Sequence, residues 1–447
     1  MSPSKGEWER LFQWVESVVG GRIVWQERQP RLRPAWYFDV DIYGKVVPLY
    51  WRGARVEQDD LRARLEPEMR VIEVLERHGI PVPHPYGLSQ DPPGLLLERC
   101  PGRANLATAE DEDERVAVLD HYMEILARAH AIDVAEFEAI GLQRPQDAKD
   151  NCLADLTRSE RVYREHKRQP DPMIEFQIRW VRRNVPRDRS KVTLVFGDSG
   201  QFLFDKGRVT AVLDLELAHL GDPAADLGGL RNRDLSEPLG DLRRAMRKYA
   251  EYTGEWVDPR VIDYHTVCFA LVTPLHLAHV CADPAPSMNY VQYLAWYVVY
   301  SRCPLEVLAR MIGAELEPPP LPQPGPSRRS PAHQLMISAL DPKQAGADAQ
   351  RAYELDCLYR VAQYLDRSDR YGPALEADDL SDVAAILGHR PGSWQKADAE
   401  LERFVLDAGP ERDAELVRYF HRRLLREEAL LQPALRELEG VSMSPID

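Results

Sequence analysis

The alternation of apolar and polar residues near the amino terminus predicts one helix and a small antiparallel sheet. Leu11, Val15 and Val18 share one face of a predicted helix over residues 7–19. After Gly20-Gly21, apolar positions alternate along short segments that turn residues separate, which is the pattern of strands. The predicted strands cover residues 22–27, 35–42 and 45–52, with Tyr43-Gly44 as the hairpin turn between the last two.

The pattern then changes to helical spacing over residues 59–78, which Gly79 and Pro81 bring to an end. The recurring apolar positions of this predicted helix are Leu61, Leu65, Ile72 and Leu75. An apolar run over residues 95–97 follows, and we expect it to form a buried strand that leads into a turn at Pro101-Gly102.

The stretch from Leu194 to Leu227 places two carboxylates where a reactive site requires them. Asp198 follows an apolar run and lies between glycines that permit a tight turn. Asp214 ends the second strand of a predicted hairpin over residues 202–213, so the hairpin returns it to the side of Asp198. Two convergent carboxylates suit proton abstraction from a hydroxyl together with Mg²⁺ binding, because hard cations prefer oxygen ligands.

The order of motifs in this stretch resembles the catalytic segment of the aminoglycoside phosphotransferase and choline kinase family, relatives of protein kinases. That order is Gly-Asp, a short turn, an apolar hairpin, Leu-Asp-x-Glu, and Gly-Asp-Pro-x-x-Asp-Leu. The resemblance implies that Asp198 is the catalytic base and that Asp214 is a Mg²⁺ ligand. The version Glu-Leu-Ala-His-Leu-Gly-Asp-Pro is most similar to the kinase-like domains associated with acyl-CoA dehydrogenases.

The turn after Asp198 departs from the family pattern in two ways. Phe196 stands where the family has a His before Gly-Asp, and we expect it to be a packing residue. The turn is two residues shorter, so Gln201 falls where the family has a metal-binding Asn. Gln also offers a carbonyl oxygen to Mg²⁺, and Gln201 is therefore the second candidate metal ligand.

The resemblance also assigns nucleotide-binding residues in the predicted sheet. Arg52 stands where the family has a cation for the phosphates, the alternative being an ordinary exposed arginine at a strand end. Glu68 matches the small-lobe glutamate that pairs with this cation, with Glu66 and Glu73 as nearby alternatives. The hinge between the lobes falls around Glu98 and Cys100, whose backbone groups would meet adenine.

No phosphate-binding Gly-rich loop is present between the first two predicted strands. Residues 28–34 contain two prolines, three arginines and no glycine. Arg31 and Arg33 are therefore candidate cations for the phosphates in place of such a loop.

Charged residues after the metal aspartate have two alternative roles. Asp222 and Asp226 are expected to cap or pair locally, and His130 is expected to be structural. An arginine-rich segment is a candidate for contact with an anionic ligand, with a solvated helix face as the alternative. Its residues are Arg231, Arg233, Arg243, Arg244 and Arg247.

Residues 318–331 contain seven prolines and predict a semi-rigid linker. Beyond the linker, one helix is predicted near residues 348–366, with Leu358, Val361 and Leu365 as its apolar stripe. A second helix is predicted over residues 411–439, kinked or divided at Pro433.

Composition and charge limit the classes of partner. A net charge of −15 argues against nucleic acid or an anionic membrane surface as the main partner. The most apolar stretch, residues 267–282, is shorter than a membrane span and is expected to be core. Six scattered cysteines without a Cys-x-x-Cys pair favour buried thiols and a cytoplasmic location.

Together these features predict an α+β fold, a two-lobed protein-kinase-like fold followed by a small all-α domain. The predicted parts are a small antiparallel β lobe with its helix and hinge (residues 1–103), a mainly helical large lobe (104–317), the linker (318–331) and a helical accessory domain (332–447). The accessory domain is also the candidate surface for a homo-oligomer.

The predicted function is transfer of the ATP γ-phosphoryl group to a hydroxyl of a small molecule, with ATP and Mg²⁺ as cofactors. A metabolic alcohol or a hydroxyacyl-CoA is favoured over an aminoglycoside as the acceptor. The alternative is a catalytically impaired, kinase-like nucleotide-binding or scaffold protein, since the Gly-rich loop and the metal-binding Asn are absent.

Overall fold

The computed structural model describes residues 5–31, 33–53, 61–285, 288–325 and 327–446. Within them the chain forms two compact units. The first unit comprises residues 1–154, 188–259 and 446–447, and the second comprises residues 155–187 and 260–445. Residues 59 and 60 of the second predicted helix lie outside the described residues.

Secondary structure follows the predicted pattern closely in the first hundred residues. The strands are β1 (Arg22–Arg28), β2 (Ala35–Ile42), β3 (Lys45–Gly53), β4 (Pro85–Gln90), β5 (Pro93–Glu98), β6 (Thr193–Val195), β7 (Phe202–Asp205), β8 (Arg208–Val212) and β9 (His219–Gly221). The helices are α1 (Lys5–Val19), α2 (Leu61–Arg77), α3 (Glu112–His130), α4 (Val134–Ala139), α5 (Ala148–His166), α6 (Pro172–Arg183), α7 (Ala224–Arg233), α8 (Leu242–Thr253), α9 (Pro259–Ala282), α10 (Tyr290–Ile312), α11 (Ser330–Ala339), α12 (Ala349–Leu387), α13 (Trp394–Asp407) and α14 (Asp413–Leu435).

The first unit begins with an antiparallel sheet of five strands in the order β1-β2-β3-β5-β4. Helix α1 packs its apolar face on this sheet, where Leu11 and Val15 join Phe38, Leu49 and Trp51 in one buried cluster. The sheet and α2 are the small lobe that the sequence predicts. Strand β4 was not predicted, because Pro85 and Gly87 interrupt its alternation.

The segment of the first unit that contains Asp198 and Asp214 has two short strand pairs. Strands β7 and β8 form the predicted hairpin, and β6 pairs with β9, which was not predicted. Backbone hydrogen bonds join the end of the hairpin to its start, because the Leu213 N–H donates to the Gln201 carbonyl at 2.9 Å. This contact sets the residue after Leu213 beside the turn that precedes Gln201.

The second unit is helical, and it does not follow the predicted boundary at residues 318–331. Helix α14 packs on α10 and on α12, so residues on both sides of the linker share one core. Phe420 of α14 lies against Phe176 of α6 with ring centroids 5.6 Å apart. Apolar positions of α14 are buried in this core, which explains why the segment does not stand apart as a separate unit.

Two details of the helical region differ from the sequence prediction. Leu358 and Leu365 are exposed, and α12 buries Leu355 and Ala362 instead, so the predicted stripe was wrong by about one helical position. Helix α14 continues through Pro433 and ends at Leu435, before a short 3₁₀ turn.

Helix α9 is long and apolar enough to cross a membrane by length and composition alone. However, 56% of its most apolar window is buried inside the protein, which is typical of a core helix. The prediction of a core segment over residues 267–282 agrees with this burial.

We expect Gly94→Ala to destabilise the sheet that carries the nucleotide-binding candidates. A Cβ at Gly94 would lie 2.4 Å from the buried Trp51 ring, whose Nε1 donates to Ser89 at 2.8 Å. Such overpacking costs about 1–3 kcal/mol. Gly372→Ala in α12 is the matched control, because a Cβ there meets nothing within 4 Å and a helix favours alanine. Thermal unfolding followed by circular dichroism checks both, and equal midpoints for Gly94→Ala and wild type would contradict this packing.

Candidate active site

The turn that carries Asp198 is fixed by hydrogen bonds to its backbone. Gly197 and Gly200 have φ values of 84° and 94°, which an L side chain rarely adopts. The buried Asp226 carboxylate accepts from the Phe196 N–H at 2.9 Å and from the Gly197 N–H at 3.1 Å. Phe196 is buried, as predicted for a packing residue, and its backbone is what fixes the turn.

His130 in turn holds the Asp226 carboxylate in place. The His130 Nε2 lies 2.9 Å from Asp226, and its Nδ1 lies 2.7 Å from the Tyr249 hydroxyl. His130 is therefore structural, as expected, and acts on the site through Asp226. Asp222 is also engaged locally, since it accepts from Arg189 at 2.6 Å and 2.7 Å.

The far side of the same turn is held by Tyr122 of α3. Its buried hydroxyl accepts from the Gly200 N–H at 2.7 Å and lies 2.8 Å from the Ser199 hydroxyl. Sequence reasoning missed this residue, because a tyrosine in an apolar helix face looks like any core residue. Tyr122 stabilises the shortened turn and so fixes the direction of Asp198.

Asp198, Gln201 and Asp214 meet at one point, as the predicted hairpin requires. The Gln201 Nε2 lies 2.6 Å from Asp198 Oδ2 and 3.3 Å from Asp214 Oδ2. Asp214 adopts left-handed backbone angles with φ 57°, which turns its carboxylate toward the neighbouring turn. The two carboxylates therefore face one shared position between them.

Arg52 and Glu68 form the predicted pair in the interior of the first unit. The Arg52 guanidinium donates to Glu68 through one nitrogen and to Asp214 at 2.8 Å through the other. Burial opposes the charge of Arg52, but Glu68 and Asp214 outweigh it and raise the pKa of the guanidinium above its ordinary value. The alternatives do not take this place, because Glu66 binds Arg70 at 2.6 Å and Glu73 is exposed.

Arg33 is the loop arginine that reaches the site. It donates to both Glu216 oxygens at 3.1 Å and lies 3.8 Å from Asp214. Arg31 instead donates to the Tyr50 hydroxyl at 2.7 Å. Of the two candidate cations, Arg33 is thus the one beside Asp214.

Arg233, at the end of α7, contacts Asp198 directly. Its Nη2 lies 2.5 Å from Asp198 Oδ1. Burial raises the pKa of the Asp198 carboxyl above its ordinary value, and the Arg233 guanidinium opposes that rise. The sequence analysis identified Arg233 only as one of five candidate arginines, because the sequence pattern does not distinguish it from the others. Arg244, another of the five, pairs instead with Asp120 at 2.5 Å.

Glu98 ends β5, and Cys100 follows it by two residues. The Glu98 N–H donates to the His84 carbonyl at 2.8 Å, which ties this segment to the residue before β4. Burial raises the pKa of the Cys100 thiol to about 12, so the thiol is neutral. Their predicted contact with adenine stays a prediction.

The donor set fits a hard divalent cation. The Gln201 amide contacts carboxylate oxygens of both Asp198 and Asp214, so three oxygen-bearing side chains lie together. Rotation of that amide by a half turn would exchange its NH2 group for its oxygen, and amide orientation is assigned from the surrounding hydrogen bonds. With Asp198 expected to accept the proton of the acceptor, Asp214 and Gln201 are the residues that would hold Mg²⁺.

Residues 53–262 match the family model described as "Phosphotransferase enzyme family". This range contains Asp198, Gln201, Asp214 and Glu68, while Arg52 directly precedes it. The match covers a little under half of the chain, and over these residues the chain is similar to this phosphotransferase family.

Curated relatives match a little over a third of the chain. The similarity to mouse acyl-CoA dehydrogenase family member 10 is 30% identity over 175 residues, which is 36% of this chain and 16% of that protein. Rat acyl-CoA dehydrogenase family member 11 is 28% identical over 182 residues, or 37% of this chain and 23% of that protein. The matches thus span less than a quarter of either relative.

Solved structures of low similarity include two antibiotic phosphotransferases. The macrolide 2′-phosphotransferase of Brachybacterium faecium is 19% identical, with a TM-score of 0.46, covering 65% of this chain and 97% of that chain. A thermostable mutant of an aminoglycoside phosphotransferase in complex with ADP and hygromycin B is 17% identical, with a TM-score of 0.45, covering 65% and 98%.

Tyr122→Phe should loosen the catalytic turn, because the buried Gly200 N–H would lose its acceptor. An unsatisfied buried donor costs about 1–3 kcal/mol, which urea denaturation would measure. Ser199→Ala is the control, since it keeps the bond between Tyr122 and the Gly200 N–H and should cost clearly less. Equal losses in the two variants would mean that Tyr122 does not hold the turn through its hydroxyl.

Proposed function

We propose that this protein transfers the γ-phosphoryl group of ATP to the hydroxyl of a small molecule. The observation that supports this most is the convergence of Asp198, Gln201 and Asp214 on one position, with Arg52 held beside them by Glu68. Kinase catalysis rests on positioning and on charge stabilisation, and this group of side chains supplies both.

Asp198 is the residue that accepts the acceptor's proton. The acceptor oxygen forms a bond to the γ-phosphorus while the bond from that phosphorus to the β,γ-bridging oxygen breaks, and ADP leaves with the electron pair. The hydroxyl proton passes to Asp198. Because burial raises the pKa of this carboxyl, it is a stronger base than an exposed aspartate while Arg233 keeps it ionised.

The remaining residues of the site have positioning and binding roles. Asp214 and Gln201 would hold Mg²⁺, which when bound neutralises phosphate charge. Arg52 and Arg33, both buried beside Asp214, are the cations for the phosphates. The backbone around Glu98 and Cys100 is proposed for adenine on the family resemblance alone.

A metabolic alcohol or a hydroxyacyl-CoA is a better acceptor class than an aminoglycoside. An aminoglycoside carries ammonium groups and needs carboxylates that are free to bind them. Asp222 is bound by Arg189, and Asp226 is bound by backbone N–H groups, so both are engaged within the protein. The curated relatives named for acyl-CoA dehydrogenases support the same preference.

One observation favours the alternative of a kinase-like protein with impaired catalysis. Both Asp198 oxygens accept from protein donors, one from Gln201 at 2.6 Å and the other from Arg233 at 2.5 Å. A nucleotide-binding protein without turnover would need no free oxygen on this carboxylate. Measured turnover decides between the two functions.

Asp198→Asn and Asp214→Asn should each leave the protein folded and lower turnover about a hundredfold or more, since positioned proton acceptance is worth about 10²–10⁴-fold. Asp205→Asn, at the other end of the same hairpin, is the control and should keep the wild-type rate. Phosphate-transfer assays with labelled ATP over a panel of alcohols, hydroxyacyl-CoA esters and aminoglycosides provide the measurement. Near wild-type rates in both site variants would refute the assignment, and turnover of aminoglycosides alone would refute the acceptor class.

A further inference from the structure

Arg233 occupies the place that an acceptor hydroxyl needs. Its guanidinium lies 2.5 Å from Asp198 Oδ1, and its side chain is only 14% exposed. The Gln201 amide lies 2.6 Å from the other oxygen of the same carboxylate. A hydroxyl that donates its proton to Asp198 must therefore share the carboxylate with Arg233 or displace it.

The position of Arg233 is fixed by close packing between α7 and the catalytic turn. Gly229 of α7 lies so close to the turn that a Cβ there would be 2.6 Å from the Gly197 carbonyl oxygen. A Cβ on Gly200 would lie 3.1 Å from Arg233 Cγ, so the arginine stem rests on the turn itself. The guanidinium is thus held over Asp198 by the fold.

The charge of the acceptor decides how it can share this carboxylate. An ammonium group would be repelled by the guanidinium. A neutral alcohol that displaced the guanidinium would separate an arginine from its carboxylate and offer only a weaker partner in return. An acceptor with its own carboxylate beside the hydroxyl keeps the guanidinium paired, because the fork of Arg233 has several N–H donors.

Arg233 has a second, longer contact through the same guanidinium. Its Nη1 lies 3.5 Å from Glu237, which is long for a hydrogen bond between charged groups. The contact to the catalytic base is the shorter of these two, and it has the same chemistry as a contact to a substrate carboxylate.

We propose that Arg233 is a specificity-determining residue that binds a carboxylate carried by the acceptor next to its hydroxyl. The inference rests on the proposed phosphotransferase function. It narrows the proposed class of acceptor from metabolic alcohols to hydroxy acids. In the protein without substrate, Arg233 is paired with the Asp198 carboxylate. When the acceptor hydroxyl reaches Asp198, the substrate carboxylate binds Arg233 in place of Asp198 or together with it.

The test is a ligand-observed NMR titration with 3-hydroxybutyrate, and with butan-2-ol as the matched alcohol without a carboxylate. We expect the acid to bind wild type more tightly than the alcohol. Arg233→Gln should weaken binding of the acid about tenfold or more, the value of a lost charge-assisted hydrogen bond. Arg233→Lys should retain part of the affinity, because it keeps the charge and loses the fork.

Two further variants separate this role from a structural one. Asp198→Asn should strengthen binding of the acid, because Arg233 loses its internal carboxylate competitor. Arg244→Gln is the matched control, since Arg244 pairs with Asp120 and should leave binding of the acid unchanged. Urea denaturation of every variant confirms that it is folded before its binding is compared.

Several results would overturn the inference. These are equal binding of the acid and the alcohol by wild type, equal effects of Arg233→Gln and Arg244→Gln, and tight binding of 3-hydroxybutyryl-CoA that does not depend on Arg233. Failure of the proposed function looks different. In that case the acid would bind through Arg233, yet neither it nor any other acceptor would be phosphorylated with ATP.

Discussion

The site depends on the contacts of the Asp214 carboxylate with its neighbours. Arg52 from β3 donates to one oxygen at 2.8 Å, Gln201 lies 3.3 Å from the other, and Arg33 lies 3.8 Å away. A buried charge is costly unless it is paired, so these partners must be brought together if any of them is to be buried. Because they come from segments far apart in the sequence, that requirement links the sheet, α2 through Glu68, and the catalytic hairpin.

Local packing holds the turn after Asp198, which is shorter than the turn in the family that the sequence resembles. Two residues fewer leave less backbone to orient Asp198, and the structure adds restraints from three sides. Asp226 accepts from the first N–H groups of the turn, Tyr122 accepts from the last, and Gly229 allows α7 to approach. A turn held this closely can place a carboxylate precisely without a longer loop.

Sequence reasoning recovered the features that depend on local pattern. The strands of the small lobe and the hairpin follow from alternation and turn residues, whereas the pair of Arg52 with Glu68 follows from the family resemblance. It missed Tyr122 and did not single out Arg233, because their roles arise only when α3 and α7 pack on the turn. It also misplaced the apolar stripe of α12. The predicted domain boundary at residues 318–331 does not hold, because α14 packs on α10 before the linker and on α12 after it.

Calorimetric titration of ATP, with and without Mg²⁺, tests the central claim most directly. The account predicts ATP binding that depends on Mg²⁺. Asp214→Asn should weaken this binding strongly and Asp198→Asn should leave it nearly unchanged, because of the two aspartates only Asp214 is assigned to the metal and contacts the phosphate-binding arginines. Absence of ATP binding, or equal binding with and without Mg²⁺ in wild type, would contradict the account.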